Sequence, residues 1–160
     1  MSTAQLTIES LKRPHFNPEE FFVSETAERL GLKNQPSPAN SASVLPCLMS
    51  TADLMEEIRV LLGKSIRINS AYRRLEVNRA VGSKDNSQHL QGLACDFVCP
   101  DFGTPEEIVK FLHDKKVLVD QCFNEGSWVH VSRTLNADKN RKMYGFYLPD
   151  ADGQRHFKAL

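Results

Sequence analysis

Apolar positions recur along this chain with two different periods, and each period predicts a different element. Leu54, Ile58, Leu61 and Leu62 return at helical spacing. Ser50, Thr51 and Asp53 offer N-cap groups before them, and Gly63 ends the run. A second helix is predicted from Thr104-Pro105-Glu106-Glu107, with Ile108, Phe111 and Leu112 as its buried stripe. Shorter helices are predicted at residues 18–22, 25–31 (stopped by Gly31) and 75–82. Alternation with period two marks strands at residues 65–70 and 128–132, and an apolar run marks one at 93–98. A hairpin is expected around Asp150–Gly153. Residues 34–45, rich in Pro, Ser and Asn, read as a loop, and residues 1–17 as an extended lead-in.

Helices dominate the first part and strands are interspersed later, which predicts a small α+β domain with a central antiparallel sheet flanked by helices. A chain of 160 residues fits one such domain. We divide it into a lead-in (1–45), a catalytic core (46–133) and a tail (134–160). Twenty basic and twenty acidic residues cancel, which argues against a nucleic-acid partner. No stretch reaches membrane-span length, and MSTAQLTIESLKRPHFN lacks the apolar centre of a signal peptide. The expectation is a protein made in the cytoplasm, with Cys47, Cys95, Cys99 and Cys122 as free thiols and no CxxC pair. The pattern leaves its oligomeric state open.

Five histidines can be weighed one by one. His15 and His156 lie in irregular or polar stretches, and His113 falls on the solvated end of a helix. His89 precedes the apolar strand, in SQHLQGLACDF, and that strand carries Asp96 among apolar neighbours. A carboxylate there calls for a charge partner, hydrogen bonds or a metal. Alternation separates Leu93, Cys95 and Phe97 from Ala94, Asp96 and Val98. On the last core strand Trp128, His130 and Ser132 share a face opposite Val129 and Val131. Two imidazoles and a carboxylate form a common zinc set with a fourth position open. A buried His–Asp hydrogen bond beside an interfacial histidine would use the same residues without metal.

The segments SAYRRLEVNRAVG, SQHLQGLACDF and WVHVS, in that order, closely resemble the motifs of the zinc D-alanyl-D-alanine peptidase family, with the Hedgehog/DD-peptidase fold. The resemblance is nearest to the phage branch that includes endolysins, and it runs from about Ile66 to Ser132. His15-Phe16, Phe21-Phe22, Thr26-Ala27 and Asn34 are similar to that branch's lead-in. The resemblance implies His89, Asp96 and His130 as zinc ligands, Arg73 beside the scissile carbonyl, and Ser87 near the substrate. Trp128 is the remaining candidate for a substrate wall. Some relatives carry an acid three residues before the last histidine, where this chain has Ser127. Glu125 is displaced by one from the branch's usual acid, and a one-residue shift on a strand would reverse its face. Glu125 is the first candidate for general base and Asp120 the second. The implied activity is zinc-dependent hydrolysis of peptidoglycan peptide, by a carboxypeptidase or an endolysin-like endopeptidase, reaching the wall by phage lysis machinery or in the virion. The alternative is a non-catalytic binding or virion-associated domain of the same fold.

Overall fold

The computed structural model describes residues 5–160; the first four residues of the expected lead-in lie outside them. After 3₁₀ turns at Ile8–Leu11 and Pro18–Phe22, the helices are α1 (Glu25–Leu30), α2 (Pro38–Leu62), α3 (Leu75–Ala80), α4 (Gln88–Gln91) and α5 (Pro105–Asp114). The strands are β1 (Arg67–Ser70), β2 (Ala94–Val98), β3 (Gln121–Asn124), β4 (Val129–Ser132), β5 (Met143–Pro149) and β6 (Arg155–Ala159). They form one sheet in the order β1-β2-β4-β3-β5-β6. All neighbours run antiparallel except β3 and β5, which are parallel. This is the small α+β domain that the pattern predicts.

The sheet has two chemically distinct faces because side chains alternate along each strand. Cys95 and Phe97 of β2, Val129 and Val131 of β4 and Cys122 of β3 enter one continuous core with α2 and α5. Asp96 of β2 points the other way and stands directly opposite His130 of β4, which in turn faces Phe123 of β3. Three strands thereby set a carboxylate, an imidazole and an aromatic ring in one transverse row.

One element differs from the pattern in a way that matters. The segment expected as a loop at 34–45 is helical from Pro38, so α2 is twenty-five residues long and contains Pro46. Val44, Leu45 and Leu48 are buried in the core, and this packing outweighs the weak helix propensity of Pro, Ser and Asn. The lead-in is also less extended than expected, given its 3₁₀ turns and the core positions of Leu11, Phe16 and Phe21. The tail contains the expected hairpin, β5 and β6, and these strands extend the same sheet. All four thiols are free. Among the described residues no helix is long and apolar enough to cross a membrane.

Candidate metal centre

His89 lies on α4, a single helical turn that leads into β2. Ser87 caps it, its Oγ accepting from the His89 amide at 3.2 Å. Gly92 ends it at φ 82°, and the Gly92 carbonyl accepts from Thr51 Oγ1 of α2 at 2.6 Å. The long helix therefore holds the turn that carries the histidine.

The His89 ring is buried, and its Nδ1 lies 2.6 Å from the Ala71 carbonyl. A carbonyl only accepts, so Nδ1 carries the proton and the Nε2 lone pair is left facing Asp96 Oδ2 at 3.3 Å. His130 is arranged in the opposite sense. Its Nδ1 is 2.9 Å from Asp96 Oδ1, and its Nε2 is 3.2 Å from Gln121 Oε1. Nε2 of His89 and Nδ1 of His130 thus both face Asp96, and one ligand atom from each of the three residues lies within 4.8 Å of the others. Each imidazole has an acceptor on its outer nitrogen, the arrangement that orients metal-binding histidines. Two nitrogens and one carboxylate oxygen suit zinc, so the residues present fit the ion.

The charge states of His89 and Asp96 agree with this, while His130 holds on Nδ1 a proton that a metal would displace. Burial, above all, keeps the His89 imidazole below its ordinary pKa and therefore neutral, as a ligand must be. Burial alone would raise the Asp96 pKa, but His89, the hydrogen bond to His130 and their combined field hold it well below the usual carboxylate range. Burial opposes charge on His130, yet the hydrogen bond and charge of Asp96 raise its pKa above the ordinary value. Without metal, His130 donates to both Asp96 and Gln121.

Arg73 is buried beside this group. Its Nε donates to Ser70 Oγ at 3.1 Å, one terminal nitrogen donates to Asn78 Oδ1 at 3.2 Å, and the other lies 3.6 Å from Asp96 Oδ2. Its amide donates to the His89 carbonyl at 3.1 Å, so the segments around Arg73 and His89 hold each other. Asn34 locks the same region, donating to the Phe22 and Tyr72 carbonyls and accepting from the Arg74 amide.

Glu125 lies in the turn between β3 and β4, not on a strand, so strand alternation does not decide its direction. Its Oε2 accepts from Trp128 Nε1 at 2.7 Å. Burial, with Asp96 adding to it, raises its pKa, against the pull of His130, Trp128 and Arg155. Its charge is also felt by Arg73. The Asp120 carboxylate is fully engaged by other groups, which argues against its expected role as second candidate base. It is buried with its oxygens accepting from Gln88 Nε2, the Arg141 amide and the Arg141 guanidinium, at 2.8–3.0 Å. A carboxylate so occupied has no lone pair to spare for a water. Ser87 does serve as a turn hydroxyl, and Trp128 forms part of the Glu125 turn. The remaining histidines are engaged apart from the centre: His15 with Glu56, His156 with Asp150 and His113 against the Tyr144 ring.

The family model described as Peptidase M15 matches residues 14–132. The chain belongs to the peptidase M15 family. The match covers β1 to β4 and every residue of the centre just described, and it ends before β5. No curated protein is similar enough to this chain to count as a match. Family membership supports a zinc-dependent peptidase in general terms. Gln121, Ser70, Asn78 and Asn34 emerge from the geometry as supports of the site. Ser70 and Asn78 lie within the SAYRRLEVNRAVG segment and Asn34 within the lead-in that carry the resemblance, whereas Gln121 had no sequence signal.

Proposed function

We propose that this chain hydrolyses peptide bonds of bacterial peptidoglycan, with His89, Asp96 and His130 as zinc ligands. The observation that carries the metal assignment is the paired orientation of the imidazoles by Ala71 and Gln121, which leaves the inner nitrogen of each ring facing the Asp96 carboxylate. When bound, zinc supplies a Lewis acid that activates water near neutral pH and polarises a carbonyl. Glu125 takes the proton from the attacking water at Oε1, because Oε2 is held by the Trp128 indole. It then delivers that proton to the leaving amine. Its raised pKa suits a group that must both accept and return a proton. Arg73, fixed by Ser70 and Asn78, presents a permanent positive charge where the oxyanion develops.

The substrate class rests on the resemblance of the SAYR, SxHxxGxAxD and WVH segments to wall-cleaving relatives. The bond cleaved is a stem or cross-link amide, and delivery to the wall would come from phage lysis machinery or a virion. The test is zinc content per chain, then release of peptides from purified peptidoglycan by wild type and Glu125→Gln. One zinc per chain, with release that the variant loses, supports the reading. One zinc with no release from any wall peptide would favour the non-catalytic binding domain.

A further inference from the structure

The Glu125 turn is a weak platform by itself. It comprises Glu125–Trp128, closed by the Glu125 amide donating to the Trp128 carbonyl at 3.0 Å. Its middle residues, Gly126 and Ser127, are exposed, and Gly126 adopts φ 99°. Within the turn the supports are the Asn124 side chain, accepting from the Gly126 amide at 2.8 Å, and the Trp128 indole on the carboxylate. A general base on such a turn needs outside support to hold its geometry.

That support comes from the hairpin beyond the family match. Strand β5 runs parallel to β3, with Asn124 opposite Phe146, so Tyr147 and Leu148 continue alongside the turn. Leu148 stands against Gly126, 3.6 Å from where a Cβ would be. Phe123 packs on Tyr147 and Phe157, with ring centroids 5.9 and 5.1 Å apart. Arg155 of β6 completes the contact. Its guanidinium donates to the Tyr147 carbonyl at 2.7 Å, reaches the Glu125 carbonyl at 3.4 Å and lies 5.4 Å from the centre of the Trp128 ring. One side chain thus touches the backbone of the base and the ring that holds the base's carboxylate.

We propose that Arg155 is a positioning residue: from the C-terminal hairpin it clamps the Glu125–Trp128 pair and so sets the placement of the general base. This rests on the reading of Glu125 as base. Arg155 is exposed, and an exposed cation–π contact contributes little to folding, so the core does not depend on it. Misplacement of a base by an ångström is costly to turnover but not to ground-state binding.

The experiment uses the full zinc-loaded chain with wall peptides from purified peptidoglycan. It compares wild type, Arg155→Ala, Arg155→Lys, Glu125→Gln and the Arg155→Ala/Glu125→Gln double variant. Trp128 is the only tryptophan, so its emission reports the clamp directly and without turnover. Arg155→Ala is expected to keep its zinc and its melting temperature, to red-shift Trp128 emission and to increase its quenching by acrylamide. Its kcat is expected to fall roughly tenfold to a hundredfold with KM nearly unchanged. Arg155→Lys keeps the charge over the ring without the planar fork and is expected to recover part of that loss. In the Glu125→Gln background, Arg155→Ala should cost nothing further. Unchanged Trp128 emission in Arg155→Ala overturns the clamp whatever Glu125→Gln does. A wild-type kcat in Arg155→Ala beside an inactive Glu125→Gln, or a full further loss in the double variant, overturns positioning of the base while leaving the base assignment intact. A fully active Glu125→Gln instead removes the base assignment, and the positioning role with it.

Discussion

Gln121 places its side-chain oxygen 3.2 Å from Nε2 of His130, on the ring nitrogen that faces away from Asp96. An amide oxygen accepts only, so it keeps the proton on Nε2 and leaves the Nδ1 lone pair for a metal. Outer partners of this kind typically matter about tenfold to a hundredfold in metal affinity. Gln121→Ala is therefore expected to weaken zinc binding by that factor in a chelator competition, with the fold unchanged. Equal affinity in the variant would show that Asp96 alone orients His130.

Arg73→Lys tests whether geometry or charge matters beside the centre. Lysine keeps the positive charge but cannot contact Ser70, Asn78 and Asp96 as a planar fork. The variant is expected to bind zinc as wild type does and to lose kcat by about 10²–10³, the usual cost of removing an oxyanion partner. Retention of full turnover would show that the positive charge suffices without the planar fork.

Asp120 gives a pH-dependent prediction with a definite sign. Burial would raise its pKa, but the hydrogen bonds from Arg141 and Gln88 hold it below the ordinary value. A carboxyl depressed in the folded state stabilises fully above the unfolded pKa of about 3.9, and that contribution is lost as pH falls through the folded value. Asp120→Asn should therefore cost about 1–2 kcal/mol at neutral pH, limited because the Arg141 side chain is largely in solvent. The gap between variant and wild type should close below about pH 4 in urea melts. A constant gap across that range would exclude the charge as its source.

How much of this was legible beforehand depended on which forces acted locally. Gly31 and Gly63 ended helices as expected, since a left-handed C-cap is a local property. The directions of Asp96 and His130 followed from strand alternation and were seen in the burial of Cys95, Phe97, Val129 and Val131. The start of α2 was missed because Pro38–Val44 carries loop-forming residues, and only burial of Val44, Leu45 and Leu48 against the core makes it helical. Strand β3 was missed because its two apolar residues, Cys122 and Phe123, are adjacent between Gln121 and Asn124, so no period-two alternation shows. Gln121 and Arg155 were invisible for another reason. Their roles depend on which residues the sheet sets beside them, and no spacing along the chain encodes a cross-strand neighbour.

Gly92 ties the long helix to the metal centre, and its substitution separates two costs. It adopts φ 82°, where any other residue is strained by about 1 kcal/mol. A Cβ there would stand 2.9 Å from Leu48 Cγ and 3.2 Å from the Val44 carbonyl oxygen, both on α2. The Val44 backbone cannot move without disturbing the helix, so the overlap is relieved by pushing α4 outward. His89 rides on α4, and its 2.6 Å contact with Ala71 would be lost with that movement. Gly92→Ala is expected to destabilise by about 2–4 kcal/mol, strain and overpacking together, and to weaken zinc binding. Gly82→Ala is the control. Gly82 also has positive φ, 78°, but a Cβ there meets nothing within 4 Å. It should cost only the strain of about 1 kcal/mol and leave zinc affinity untouched. Melting curves and chelator titrations on the pair read the two effects separately. Equal behaviour of the two variants would mean that contact with α2 does not position His89.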